Sequence, residues 1–279
     1  MKLTCLIENR GPEGLLNEHG LSIWIEYQDR VLLLDSGSTP RFSANANALG
    51  LSLARVDEAV LSHGHYDHAG GFIPLFAKNP HVKVHIRAGA DREHYADHGQ
   101  GMKDIGISRE LLRRYGHRFV SHTGVTELGK GVWLVPDGVD DLAQRSLRAG
   151  LFRKEGEDYI PDDFCHEQSL VLEGEKGLVV LNSCSHAGVP GILRTVMNLF
   201  PGKAIQAFVG GFHMMGPGGA ETLGWTEEAV LAEAEALKEL PVGTYYTCHC
   251  TGLPAFHLLE QVLGDRVAYF QTGDTIELG

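Results

Sequence analysis

The chain has 279 residues, 43% of them hydrophobic, and a formal net charge of -12. That length and apolar content suit one α/β domain spanning 1–279, and the acidic balance argues against a broad nucleic-acid-binding surface. No apolar run approaches the ~20 residues that span a bilayer, and Met1-Lys2-Leu3-Thr4-Cys5 lacks the apolar core of a signal peptide. Cys5, Cys165, Cys184, Cys248 and Cys250 are odd in number and widely spaced, unlike a disulfide framework, so a reducing cytoplasm is expected.

Residues 3–7 read as a first strand, and 9–14 as a loop by their turn residues. Leu21, Ile23, Ile25 and Tyr27 alternate with Ser22, Trp24 and Glu26, the period of a half-buried strand. Val31-Leu32-Leu33-Leu34 is continuously apolar and ends at Asp35. A carboxylate at the end of a buried strand needs a partner. Either it orients a metal-ligating His or it caps the following turn. Ser43 is expected to cap a short helix ended by Gly50.

The apolar run Ala59-Val60-Leu61 leads into Ser62-His63-Gly64-His65-Tyr66-Asp67-His68-Ala69-Gly70-Gly71. Imidazole and carboxylate are ligands that a borderline cation such as zinc takes. A tight turn at Gly64 lets His63 and His65 converge on one cation, and Asp67 with His68 comes back toward a second. A helix is expected near Asp67 and through the apolar-rich stretch 69–76, stopped by Asn79-Pro80.

Residues 82–86 alternate as a strand. The less regular stretch 87–161 reads as an inserted, partly helical elaboration over the site, with a helix capped by Ser108 and a short strand at 132–135. Arg109, Arg113, Arg114 and Arg118 could grip a phosphate, though a solvated face is the favoured reading. Residues 169–172 and 178–181 form a hairpin whose open ends carry His166-Glu167 and Cys184-Ser185-His186. A helix at 192–200, a strand at 204–209 ending in Gly210-Gly211-Phe212-His213, and a helix capped by Thr226 follow. The strand at 244–247 runs into Cys248-His249-Cys250. If extension continues there, both cysteines face one way and His249 the other. His249 is then a ligand, and the cysteines either pack or support the ligands from behind.

His63-x-His65-x-Asp67-His68 resembles the signature of the metallo-β-lactamase-fold superfamily. The resemblance implies a four-layer αββα sandwich, with His63 and His65 on one metal, Asp67 and His68 on the other, and Asp35-Ser36-Gly37 as the Asp-x-Gly behind a ligating His. Glu18-His19-Gly20-Leu21-Ser22, Glu167-Gln168-Ser169-Leu170, Cys184-Ser185-His186-Ala187-Gly188, Gly210-Gly211-Phe212-His213 and Cys250-Thr251-Gly252 are similar to one branch. That branch is known as dihydropterin-type ribofuranosyl-aminobenzene 5′-phosphate synthases or metal-dependent hydrolases. Where the superfamily carries a metal-bridging Asp, this chain carries Cys184. His186 is taken as the replacing ligand, ahead of His166, Glu167 and Cys184. One or two zinc ions are expected, with iron or manganese as alternatives.

These features imply a metal-dependent hydrolase, or a related lyase or transferase, acting on a small anionic or phosphorylated metabolite. A bound cation would lower the pKa of its water toward ~7. Asp67 would hold the second metal or orient that water. His213 would act as acid or phosphate contact, or have a structural role at its Gly-rich turn. His19 would touch substrate or make a loop hydrogen bond. The alternative is a sensor of the same fold that keeps the metal and binds a ligand without efficient turnover.

Overall fold

The computed structural model describes residues 1–137 and 141–279. The first sheet starts with an antiparallel meander of β1 (Lys2–Ile7), β2 (Ser22–Tyr27) and β3 (Arg30–Leu34). After α1 (Arg41–Ala48), β4 (Glu58–Val60) pairs parallel to β3. α2 (Tyr66–Ala69) and α3 (Phe72–Lys78) lead to β5 (Val84–Arg87), parallel to β4. The expected half-burial of β2 does not hold. Ile23 and Ile25 pack between the sheets while Trp24 packs into the outer helix layer, so both faces are covered.

Two helix expectations are corrected. Ser43 does not cap α1: the helix starts at Arg41 behind Pro40, whose φ of -61° already suits a helix start, and Ser43 is buried inside it. The stretch 69–76 is not one helix. It breaks at Gly70-Gly71, where a Cβ would collide with the carbonyl oxygens of Ser38 and Ser36.

The next stretch holds β6 (His94–Ala96), β7 (Lys103–Asp104), α4 (Arg109–Tyr115), β8 (Phe119–His122), β9 (Thr126–Gly129), β10 (Val132–Pro136), α5 (Leu142–Ala149), β11 (Leu151–Glu155) and β12 (Asp158–Pro161). It is therefore not a single insertion. β8 extends the first sheet beside β5, and β9 and β10 belong to the second sheet. Only β6, β7, β11 and β12 form a separate small sheet, joined by α5. Ser108 Oγ does accept from Leu111 N, as expected.

The second sheet continues with β13 (Gln168–Gly174), its hairpin partner β14 (Gly177–Leu181), α6 (Val189–Leu199), β15 (Ile205–Gly210), α7 (Glu227–Lys238), β16 (Val242–Thr247), α8 (Leu253–Leu263) and β17 (Val267–Tyr269). β18 (Thr275–Glu277) returns to pair with β1. Strand order is β18-β1-β2-β3-β4-β5-β8 in one sheet and β17-β16-β15-β14-β13-β10-β9 in the other.

Alternation along β14 shows how the layers arise. Val179 and Leu181 face the inter-sheet core with Leu32, Leu34 and Val60. Leu178 and Val180 face outward onto Ile192 and Leu193 of α6, with Val230 of α7 and Leu259 of α8 in the same cluster. On the far side Leu33 and Leu61 pack with Phe42 of α1 and Phe72 and Leu75 of α3. The result is an αββα sandwich. Among the described residues no helix is long and apolar enough to cross a membrane.

Candidate metal centre

Strand direction gathers the site. β3 and β4 run parallel, as do β14, β15 and β16, so the loops leaving their C-terminal ends lie together. In sheets of this kind the crevice outside those ends is where ligands bind. β13 is antiparallel to β14, which brings its N-terminal end to the same edge. There Gln168 N donates to Ser62 O at 2.9 Å and Gln168 Nε2 to Leu61 O at 2.9 Å, stitching the two sheets together under the site.

The histidines lie close together. Ring centroids lie 4.5 Å apart for His63 and His65, 5.0 Å for His63 and His186, and 5.2 Å for His65 and His186. Asp67 Oδ2 lies 3.4 Å from His68 Nε2, 3.4 Å from His249 Nε2 and 3.2 Å from His19 Nε2. His19 is thus closer to the centre than a loop hydrogen bond would place it. Its loop is pinned by Glu18, which accepts from Ser38 N and Thr39 N. Cys184 Sγ is 3.2 Å from His68 Nε2, so both Cys184 and His186 reach the cluster.

The backbone is bent to make this happen. Asp35, Phe164, Ser185, His213 and His249 all have positive φ, between 45° and 57°, a region that non-glycine residues enter at a cost. His249 overturns one expectation: extension stops at Cys248, and His249–Thr251 forms a 3-10 turn. The cysteines therefore part. Cys248 packs with Cys5 between the sheets, while Cys250 turns toward Cys184 and His213. Phe164 stacks on His186 at 4.3 Å and 4°.

Hydrogen bonds set the tautomers. Asp35 Oδ2 accepts from His68 Nδ1 at 2.7 Å and from Ser62 Oγ at 2.7 Å, and Ser62 Oγ in turn accepts from His63 Nδ1 at 2.8 Å. Asn9 Oδ1 accepts from His249 Nδ1 at 2.9 Å. In its neutral form each ring then turns an Nε2 lone pair toward the centre. Asp35 is thus held by the Ser62 backbone and side chain and by His68, as a carboxylate behind an imidazole would be. Asp35→Asn is expected to weaken zinc binding by about 10–100-fold, read by competition against a chromophoric chelator.

Glu167 works from behind. Its carboxylate accepts from His186 N at 3.0 Å and Ala187 N at 3.1 Å, holding the His186 loop and not pointing at the cluster. Burial, then the nearby Asp137, pushes its pKa well above the usual carboxylate range. His166 stands beside the cluster: Nδ1 accepts from Gly64 N, Nε2 meets Asp162 Oδ2, and the ligand atoms of His65, His94, Asp162 and His166 lie within 4.8 Å of one another. His94 and Asp162 complete that buried network at 2.9 Å, and sequence reasoning passed over both, as well as Asn9. Asp162, four positions before His166, carried the only local signal. The arginines stay out. Arg109 pairs with Glu93 and Arg114 with Glu110 at the surface, and Arg118 donates to the Val82 and Asn79 carbonyls.

Donor chemistry fits a metal ion. The Nε2 atoms of His63, His65, His186 and His249 are buried without a hydrogen-bond partner, a costly state that a cation would relieve. Burial, with the neighbouring imidazoles, holds His63, His65 and His186 well below the usual His pKa. Burial also opposes charge on His68, yet Asp67 and Asp35 carry it up to about 10. The signs differ. Depressed groups give stability that is present above their ordinary pKa of 6.5 and lost as pH falls. His68 gives stability that is full below 6.5 and lost as pH rises through about 10. His68→Gln is expected to flatten the fall in stability of the metal-free protein between pH 6.5 and about 10, as urea midpoints of both proteins measured in chelator across pH would show.

Comparisons with known proteins agree with this architecture. The family profile of the metallo-beta-lactamase superfamily matches residues 17–147. The metal-dependent hydrolase Tm1679 of the beta-lactamase superfamily superposes with a TM-score of 0.82 at 27% identity, over 100% of this chain and 99% of that one. The chain has the metallo-β-lactamase fold. The chain is 23% identical to a Methanocaldococcus jannaschii protein over 94% of this chain and 90% of the relative. That relative is named 7,8-dihydropterin-6-methyl-4-(beta-D-ribofuranosyl)-aminobenzene-5'-phosphate synthase. Zn(2+)-bound PqqB from Methylobacterium extorquens shares the fold at a TM-score of 0.60 and 13% identity, covering 100% of both chains.

Proposed function

We propose that this metallo-β-lactamase-fold chain is a metal-dependent hydrolase of a small anionic metabolite. His63, His65 and His186 hold one divalent cation, and Asp67, His68 and His249 a second. The observation that carries the reading is the set of buried, partnerless Nε2 atoms, those of His65, His186 and His249 on residues lining one cavity and that of His63 behind them. When bound, the cation supplies Lewis acidity, polarising a phosphoryl or carbonyl oxygen and lowering the pKa of water.

The chain's own residues supply the rest. The cavity has a volume of about 1420 Å³, and Arg41, Lys103 and Arg148 are exposed at its rim, which suits a negatively charged substrate. His213 is half-buried in the wall and its Nδ1 has no partner, so it can hold a proton for a departing oxygen. Asp67, in contact with three imidazoles, serves as a ligand first. A related transfer reaction is the second reading, favoured by the synthase name of the M. jannaschii relative.

The test is metal analysis of the purified protein, then an assay of the zinc-, iron(II)- and manganese-loaded forms on phosphomonoesters, phosphodiesters and lactones. Metal-dependent turnover of a phosphoester supports hydrolysis. Silence on every ester, with tight metabolite binding, would replace it with the sensor reading suggested by Cys184 at the bridging position.

A further inference from the structure

Beside the imidazole centre a second set of donors meets on the cavity floor. Cys184, Cys250 and His213 arrive on the loops after β14, β16 and β15, and their ligand atoms all lie within 4.8 Å of one another. Cys184 and Cys250 are 3% and 4% exposed. A buried free cysteine is most often a small hydrophobe. Cys5 and Cys248 behave so, packed in the inter-sheet core, but neither Cys184 nor Cys250 joins a hydrophobic cluster of the described residues.

The surrounding backbone makes room for this group. A Cβ on Gly211 would collide with Cys250 Sγ, so the residue after β15 must be glycine for that sulfur to sit there. His213 accepts a positive φ of 53°, and its buried Nδ1 has no hydrogen-bond partner. All three side chains line the cavity.

We propose that Cys184, Cys250 and His213 form a thiolate-rich subsite for a borderline divalent cation such as zinc or iron(II), adjoining the imidazole centre and, when filled, taking His213 as a ligand in place of its proton role. Two sulfurs and one imidazole nitrogen are a donor set that zinc accepts in catalytic sites, with the fourth position left open. Here that position faces the cavity. Each thiol gives up its proton to solvent as the cation binds, so binding releases protons and strengthens with pH. Cys184 Sγ also lies 3.2 Å from His68 Nε2, which places the subsite against the imidazole centre with this sulfur between them.

The experiment is cobalt(II) titration of the full chain, stripped with chelator, kept reduced and oxygen-free. Visible bands report any bound cobalt, and near-ultraviolet charge-transfer absorption reports cobalt–thiolate bonds. Cys250→Ser is expected to remove about half of the near-ultraviolet absorption per cobalt, while His63→Ala retains it and loses visible intensity. Zinc-edge X-ray absorption on the unmutated protein should show sulfur at ~2.3 Å, which needs no variant to fold. Cobalt bound with a band indifferent to Cys250→Ser, nitrogen and oxygen neighbours alone, or a Cys184–Cys250 disulfide in freshly reduced protein would each overturn the subsite and leave the imidazole centre standing. No bound cation of any kind would reject both.

Discussion

His65→Ala is expected to lose one bound metal equivalent and to lower kcat/KM on any responsive ester by on the order of 10³-fold. His65 is 5% exposed, its Nε2 has no hydrogen-bond partner, and it lies between His63 and His186 on one side and His94, Asp162 and His166 on the other. Deleting the imidazole removes a donor without exposing a large surface, so folding should survive and the loss should be chemical. Inductively coupled plasma analysis gives the stoichiometry, steady-state kinetics the rate, and far-UV circular dichroism the control. Activity abolished with the fold intact rejects the sensor reading. Activity unchanged by the substitution would end the case for an imidazole-held metal as the catalytic element.

The second large effect is on stability. Gly210 closes β15 at a φ of 146°, and a Cβ there would run into the Asn182 carbonyl oxygen on the neighbouring loop. Gly210→Ala therefore combines backbone strain with a backbone collision, together about 3–5 kcal/mol. Gly202→Ala is the matched control: its φ is 81° but nothing lies within 4 Å of the added carbon, so only strain of about 1–2 kcal/mol should appear. Urea denaturation of the metal-free forms reads both. Equal losses at the two positions would show that close packing of the β14 and β15 loops is unimportant to the fold.

Much of the site was legible because the chemistry is local. His63, His65, Asp67 and His68 fall within six positions, and Asp35 ends an apolar run that could only be a buried strand. The network of His94, Asp162 and His166 was not legible, because its members come from the small sheet and the loop before β13, with no shared period. Helix boundaries failed where backbone contacts outweighed side-chain pattern, as at Gly70-Gly71. The stretch 87–161 misled for a related reason. Short strands such as β8 take their place from a pairing partner far along the chain, and their own four residues carry little pattern.

By itself the sequence determined the layer type and the donor inventory: alternating apolar runs demand two covered sheets, and imidazoles at strand ends demand something to bind. Tertiary structure alone decided which donors share a space. Parallel strand direction put His186, His213 and Cys250 beside the opening motif, and the left-handed turn at His249 sent Cys250 to the site and left Cys248 in the core. A turn of that kind follows from the contacts around it and not from the residues that make it, since His249 pays backbone strain that only the surrounding packing can offset.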